Sequence, residues 1–158
     1  MKILRYQRHN ETRYGTLEED GAIQQLAGSP FDGIETDGVT TNLADVRVLA
    51  PVPRPRLIGV GLNYAAHAAE GGKEPPPIPM LFMLPWTTVV GQGDDVVYPV
   101  QGQHIEYEGE LVVVIGKEAK DVSAANALDH VLGYTCGNDI SERVIQRQEM
   151  SQGCVLMG

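Results

Sequence analysis

The chain has 158 residues, 12 Lys+Arg against 21 Asp+Glu for a formal net charge of -9, and is 42% hydrophobic with 18 Gly and 10 Pro. A chain of this size can bury roughly 70% of the surface its unfolded form exposes, so it can build a core without disulfide or metal staples, and its normal apolar fraction excludes disorder. The acidic balance excludes a nucleic-acid partner, which needs a basic face, and disfavours an anionic membrane surface for the same reason.

Residues 1–10 hold no apolar stretch of signal-peptide length, and the longest unbroken aliphatic run is residues 111–115, so no membrane segment is expected. Cys136 and Cys154 are too few for a disulfide framework and are expected as reduced thiols of a cytoplasmic protein.

In chain order, residues 1–50 read as a small β-rich module. Ile3, Leu4 and Tyr6 begin a strand, Tyr14-Gly-Thr-Leu leads to a Glu18-Glu-Asp-Gly turn, and residues 22–26 form a second strand. Gly28, Pro30, Gly33, Asp37 and Gly38 then punctuate a loop-rich stretch. Pro51-Val-Pro-Arg-Pro is too proline-dense for helix or central strand and marks a boundary, so residues 51–158 are expected as a second domain.

Residues 57–62 are an apolar strand that runs into Asn63-Tyr-Ala-Ala-His-Ala-Ala-Glu, a short helix. Met80-Leu-Phe-Met-Leu-Pro, Val96-Val-Tyr and residues 106–115 follow as strands. Ser123 caps a helix that ends before Gly133, residues 134–139 are strand-like, and residues 141–150 are helical. Many short strands with few helices make an α+β, mostly β, architecture rather than alternating βαβ units. Gly59-Val-Gly-Leu-Asn-Tyr opens like a dinucleotide fingerprint, but Tyr64 stands at the third glycine position, which excludes a Rossmann site.

The charge is concentrated. Residues 94–110 carry Asp94, Asp95, Glu106, Glu108 and Glu110 and no Lys or Arg. Asp94-Asp95 follow glycine and read as a turn. In Ile105-Glu-Tyr-Glu-Gly-Glu-Leu-Val-Val-Val-Ile, strand alternation puts Glu106, Glu108 and Glu110 on one face with Val112 and Val114, and Tyr107, Leu111, Val113 and Ile115 on the other. Same-face carboxylates about 7 Å apart and partly desolvated repel one another unless a cation neutralises them. Hard carboxylate oxygens select Mg²⁺, Mn²⁺ or Ca²⁺ over zinc. An edge strand with protective charges is the competing reading of Glu-x-Glu, and a helix N-cap that of the third carboxylate, Asp139. His67 and Glu70 lie three apart on one helix face, where a carboxylate can orient an imidazole for proton abstraction from water, although such a pair also suits a plain surface. Of the other histidines, only His104 lies near the acidic strand.

Three blocks together carry a resemblance. Gly61-Leu-Asn-Tyr-Ala-Ala-His-Ala-Ala-Glu, Glu106-Tyr-Glu-Gly-Glu-Leu-Val-Val-Val-Ile-Gly-Lys and Gly133-Tyr-Thr-Cys-Gly-Asn-Asp-Ile-Ser-Glu-Arg-Val-Ile-Gln resemble the fumarylacetoacetate hydrolase family, in order and with its separations, including 29 positions from Glu110 to Asp139. The resemblance implies a β-roll fold, a homodimer, and Mg²⁺ or Mn²⁺ held by Glu108, Glu110 and Asp139, with Ca²⁺ admissible and Glu106 outside the ligand set. By position His67 and Glu70 match the water-activating pair, and Arg143 and Gln146 match residues of the helix beside the substrate.

Members of the family cleave or isomerise small 2-oxo acids. The expected activity is hydrolysis of a C–C bond in an acylpyruvate-type acid, with a metal-stabilised enolate as leaving group. Isomerisation or decarboxylation of related 2-oxo and 2-hydroxydienoic acids is the alternative, as is a non-catalytic relative that serves as a metal-binding interaction module. Two departures stand out. Phe82-Met-Leu-Pro places Leu84 where relatives carry a lysine, and the family sequence continues past Cys154-Val-Leu-Met-Gly, so the roll is expected to be incomplete at the C-terminus.

Overall fold

A computed structural model of the chain describes residues 1–153; Cys154 lies outside them. Strands dominate and helices are few, an α+β arrangement. The chain divides into two compact units, Met1–Ala27 with Thr36–Val96, and Gly28–Glu35 with Val97–Gly158.

In the first unit, β1 (Lys2–Arg8) and β2 (Glu11–Leu17) pair antiparallel across His9 and Asn10. Both turn residues have positive φ, 48° and 68°, the type I′ conformation whose twist matches the flanking strands. β3 (Ala22–Leu26) follows through the Glu18-Glu-Asp-Gly turn, closed by Gly21 N–H donating to Glu18 O at 3.2 Å. β4 (Thr36–Asn42) and β5 (Arg47–Leu49) complete a sheet of order β4-β3-β2-β1-β5. Alternation along β1 turns Leu4 and Tyr6 inward against Ile23, and Leu17, Val46 and Val48 pack around them. The Tyr6 hydroxyl donates to Gln25 Oε1 at 2.9 Å, and burial raises its pKa. Gly15 makes this packing possible: a Cβ there would overlap Ile23 Cγ2 and stand 2.9 Å from the Gln24 carbonyl oxygen.

β4 occupies what the sequence presents as loop. Asp37 and Gly38 form an irregularity inside the strand, where the β3–β4 register shifts between Gln24 and Leu26. Gly38 has φ 86°, and Asp37 accepts from Val39 N–H at 2.9 Å and from Gln25 Nε2 at 2.6 Å. The turn chemistry therefore sits within an exposed edge strand.

The same unit contains the antiparallel pair β6 (Leu57–Gly61) and β7 (Met80–Leu84), joined through α1 (Ala65–Glu70). Val96-Val-Tyr, expected as a strand, has no strand structure and is exposed. Asp94 closes a turn by accepting from Gly91 N–H at 2.9 Å and pairs with Arg47 at 2.5 Å; the arginine's hydrogen bond depresses its pKa.

The second unit contains β8 (Ile105–Glu106), β9 (Gly109–Ile115), β10 (Val131–Asn138), β11 (Ser141–Glu142) and α2 (Arg143–Ser151). β9 pairs with β10, and β8 with β11, both antiparallel. Three sequence expectations need correction here. The strand expected over residues 106–115 is two strands broken at Tyr107 and Glu108. The helix after Ser123 is an exposed 3₁₀ segment, Ala124–His130, and the Ser123 side chain makes no capping bond. The last helix begins at Arg143, not Ser141, because Ser141 and Glu142 pair with β8. No helix of the described residues is long and apolar enough to cross a membrane.

Candidate active site

The acidic cluster is built on an interruption. β8 and β11 form one ladder, β9 and β10 another, and the chain passes between them at Tyr107-Glu108 on one side and Asp139-Ile140 on the other. Across the gap the Asp139 N–H donates to the Glu108 carbonyl oxygen at 2.9 Å, and the Glu108 N–H donates to Asn138 Oδ1 at 3.2 Å. Glu108 and Asp139 thus face each other, while Glu110 sits opposite Gly137 in the adjoining ladder. A Cβ on Gly137 would stand 2.8 Å from Val112 Cγ2 and 3.6 Å from Glu110 Cβ, so the absence of a side chain leaves Glu110 and Val112 room on that face. Glu110, Val112 and Val114 are half-buried, whereas Leu111, Val113 and Ile115 on the reverse face are exposed.

Arg143, the first residue of α2, binds this cluster. Its Nε donates to Glu106 Oε2 at 2.7 Å, Nη2 to Glu108 Oε1 at 2.5 Å and Nη1 to Gln146 Oε1 at 3.0 Å. Its side chain is 11% exposed. Burial opposes its charge, but the two carboxylate hydrogen bonds outweigh that and raise its pKa. Glu106 is held on the other oxygen by His104 Nε2 at 3.0 Å, and its pKa is depressed by the Arg143 hydrogen bond. Asp139 behaves oppositely: burial and then the charge of Glu108 raise its pKa. Arg143 acts on Asp139 as well, lowering its pKa, but burial and the charge of Glu108 outweigh it.

Glu142 anchors the arrangement. Its buried carboxylate accepts from Ile145 N–H at 2.5 Å, His104 N–H at 2.8 Å and Gln103 N–H at 3.1 Å, and the Arg143 N–H donates to His104 O at 2.8 Å. Glu142, not Asp139, is the N-cap of α2, which leaves the Asp139 side chain outside the capping role that sequence reasoning allowed it. The backbone bonds, Ile145 first, lower the Glu142 pKa from its reference of 4.5. A depressed carboxyl stabilises the fold fully above its unfolded value and loses that contribution as pH falls through the folded value. Glu142→Gln is therefore expected to lower Tm near neutral pH by on the order of 5 °C or more. The difference from wild type should shrink as pH falls below about 4.5. Thermal melts across that range check both.

His67 and Glu70 lie on α1 in the first unit. His67 Nδ1 stands 3.4 Å from Glu70 Oε2, with the two side chains 53% and 76% exposed. The buried Ala68 anchors the helix, and its C-terminal end at Gly71 is closed by the Gly72 N–H donating to Ala69 O at 3.0 Å. Sequence reasoning set Glu106 aside and only noted His104; it missed Glu142. The spacing of Glu106 to the strand glutamates gave no hint of its tie to Arg143, which depends on β11 bringing α2 alongside β8.

Do these residues suit a divalent ion? Among the described residues no group of three or more His, Cys, Asp or Glu side chains converges to hold one. The donor set nonetheless fits: hard carboxylate oxygens lie on or beside hydrogen-bonded strands, Asp139 is disfavoured as an anion by burial and by Glu108, and a guanidinium stands in as counter-cation on Glu108. That occupancy turns Glu108 toward Arg143.

Residues 56–157 match the family model for the fumarylacetoacetate (FAA) hydrolase C-terminal domain, and residues 1–51 match the Rv2993c-like N-terminal model. Protein Rv2993c of Mycobacterium tuberculosis is 42% identical over 126 residues, 80% of this chain and 48% of that protein. The chain spans about half the length of the curated relatives it matches. The crystal structure of 5-carboxymethyl-2-hydroxymuconate delta-isomerase from Mycobacterium smegmatis superposes with TM-score 0.84 at 37% identity, covering 95% of this chain and 59% of that one. Fumarylpyruvate hydrolase from Pseudomonas aeruginosa, solved with Mn²⁺ and pyruvate, gives TM-score 0.59 at 38% identity over 68% of this chain and 47% of that one. The chain, from its three motif blocks to its mixed strand architecture, belongs to the fumarylacetoacetate hydrolase family.

Proposed function

We propose that the protein is a divalent-metal-dependent enzyme that hydrolyses a C–C bond of a small acylpyruvate-type 2-oxo acid. The observation that carries this reading is the meeting of Glu108 and Asp139 at the gap between two ladders, one carboxylate neutralised by Arg143 and the other carrying the cost of its charge. Glu108, Glu110 and Asp139 would hold Mg²⁺ or Mn²⁺, and the same oxygen set admits Ca²⁺. Such an ion supplies Lewis-acid polarisation of the 2-oxo carbonyl. The likeness to a fumarylpyruvate hydrolase solved with Mn²⁺ and pyruvate supports both the ion and the substrate class.

The chain's own groups then have definite tasks. Arg143 and Gln146 bind the substrate's carboxylate end, the guanidinium offering paired donors. Glu70 accepts Nδ1–H of His67, which leaves the Nε2 lone pair to take a proton from water. The water oxygen bonds to the distal carbonyl carbon, the C–C bond breaks, and its electron pair passes to the pyruvate fragment, which is protonated; the other product is a carboxylic acid. Leu84, at the position where relatives carry a lysine, offers no cationic partner, so this reading favours substrates without a second anionic group beyond the carboxylate held by Arg143 and Gln146.

Isomerisation is the second reading, favoured by the likeness to a delta-isomerase. We further propose a division into residues 1–50 and 51–158, a homodimer and a cytoplasmic setting. Turnover of acylpyruvates, oxaloacetate and a 2-hydroxydienoate with Mn²⁺ separates the readings. Acylpyruvate cleavage is expected; metal-loaded protein inert on all three would overturn enzymatic function in favour of a metal-binding interaction module.

A further inference from the structure

Arg143 contacts three side chains in the second unit, and the contacts are not equivalent. Glu108 belongs to the ligand set proposed above; Glu106 does not, yet it accepts Nε of Arg143 at 2.7 Å and is itself held by His104 Nε2 at 3.0 Å. The His104 backbone is fixed in turn from both sides, by Glu142 accepting its N–H and by Arg143 N–H donating to its carbonyl. The guanidinium therefore bridges one carboxylate locked in place and another at the edge of the strand break. An arginine that is 11% exposed cannot relax freely into water if one of its partners is withdrawn.

We propose that Arg143 is a built-in counter-cation of the carboxylate site, that it competes with a divalent ion for Glu108, and that Glu106, braced by His104, is the positioning residue that retains Arg143 when Glu108 is given up. This rests on Glu108, Glu110 and Asp139 being the ligand set. A divalent ion that draws Glu108 away releases Nη2, while Nε stays on Glu106 and Nη1 on Gln146. The freed Nη2 is then the donor available to a substrate carboxylate. Metal loading and substrate-anion recognition are coupled through one side chain, and Arg143 offsets part of the repulsion between Glu108 and Asp139 before the ion arrives.

Mn²⁺ titration by calorimetry on the natural protein and four variants tests this, with no substrate present. Arg143→Met is expected to tighten Mn²⁺ binding about tenfold, because the ion no longer displaces a partner from Glu108. Arg143→Lys, which keeps the charge but cannot span two carboxylates, should tighten it by a smaller factor; it also serves if the Met variant fails to fold. Glu106→Gln is expected to weaken binding several-fold in the presence of Arg143. In the Glu106→Gln/Arg143→Met double variant that penalty should vanish, which simple loss of a negative charge near the ion does not predict. Unchanged or weaker binding in both Arg143 variants, or an equal Glu106→Gln penalty in both backgrounds, overturns the proposal while leaving the ligand set intact. If wild type does not bind Mn²⁺ at all, the ligand reading itself falls and this inference falls with it.

Discussion

His67→Ala is expected to reduce kcat for acylpyruvate cleavage by about 10²–10⁴, the range lost when a positioned general base is removed. The Mn²⁺ affinity should stay within twofold of wild type, since His67 lies outside the proposed ligands. Its side chain is half-exposed and the helix is anchored through Ala68, so the melting temperature should hardly move. Glu70→Gln should lower kcat less and change the pH–rate profile, because an amide still accepts the Nδ1 hydrogen bond but no longer supplies charge to stabilise a protonated ring. Retained turnover in His67→Ala, measured with saturating Mn²⁺, would remove His67 from the mechanism.

The largest expected loss of stability lies in the first sheet. Ile23 is fully buried, packs against Leu4 and Tyr6, and reaches over the bare backbone of Gly15. Ile23→Ala removes buried methyl groups and leaves a cavity that β-sheet neighbours cannot collapse into, at about 2–5 kcal/mol. Urea titration should show a lower midpoint with an unchanged slope if the whole chain unfolds together, and a separate early transition if the sheet melts independently. A loss below about 1 kcal/mol would mean that Ile23 is not the centre of this core.

The elements most legible in the sequence are those with a clean period or an apolar run bounded by turn residues. Alternation of Glu110, Val112 and Val114 against Leu111, Val113 and Ile115 identified the two faces of β9, while short apolar runs bounded by turn residues found β1, β3, β6 and β7. Legibility failed where a local signal had two uses. Asp37-Gly38 reads as a turn, yet it is an irregularity within β4, because the cross-strand partner Gln25 completes the aspartate's hydrogen bonding. Tyr107-Glu108 carries no breaker residue of its own; the break arises because β8 takes β11 as its partner and β9 takes β10. Likewise Ser141 looks like a helix start, but pairing with Glu106 extends it and hands the cap to Glu142.

For the candidate site the same division holds. The carboxylates could be named from residue type, strand spacing and the family resemblance. Their electrostatics could not, because an arginine four positions beyond Asp139 reaches them only through the β11–β8 pairing. Glu106 shows this most plainly. Along the strand it repeats the Glu108 and Glu110 pattern, but a two-residue strand and the neighbouring His104 and Arg143 give it a different environment.

The central claim is that Glu108, Glu110 and Asp139 form a divalent-cation site, and isothermal titration of metal-free protein with Mn²⁺ tests it most directly. One ion per chain is predicted, with Glu110→Ala lowering affinity by about 10²-fold or more, as loss of a charged oxygen ligand should. Absence of Mn²⁺ binding by wild type, or binding that Glu110→Ala leaves unchanged, would contradict the account.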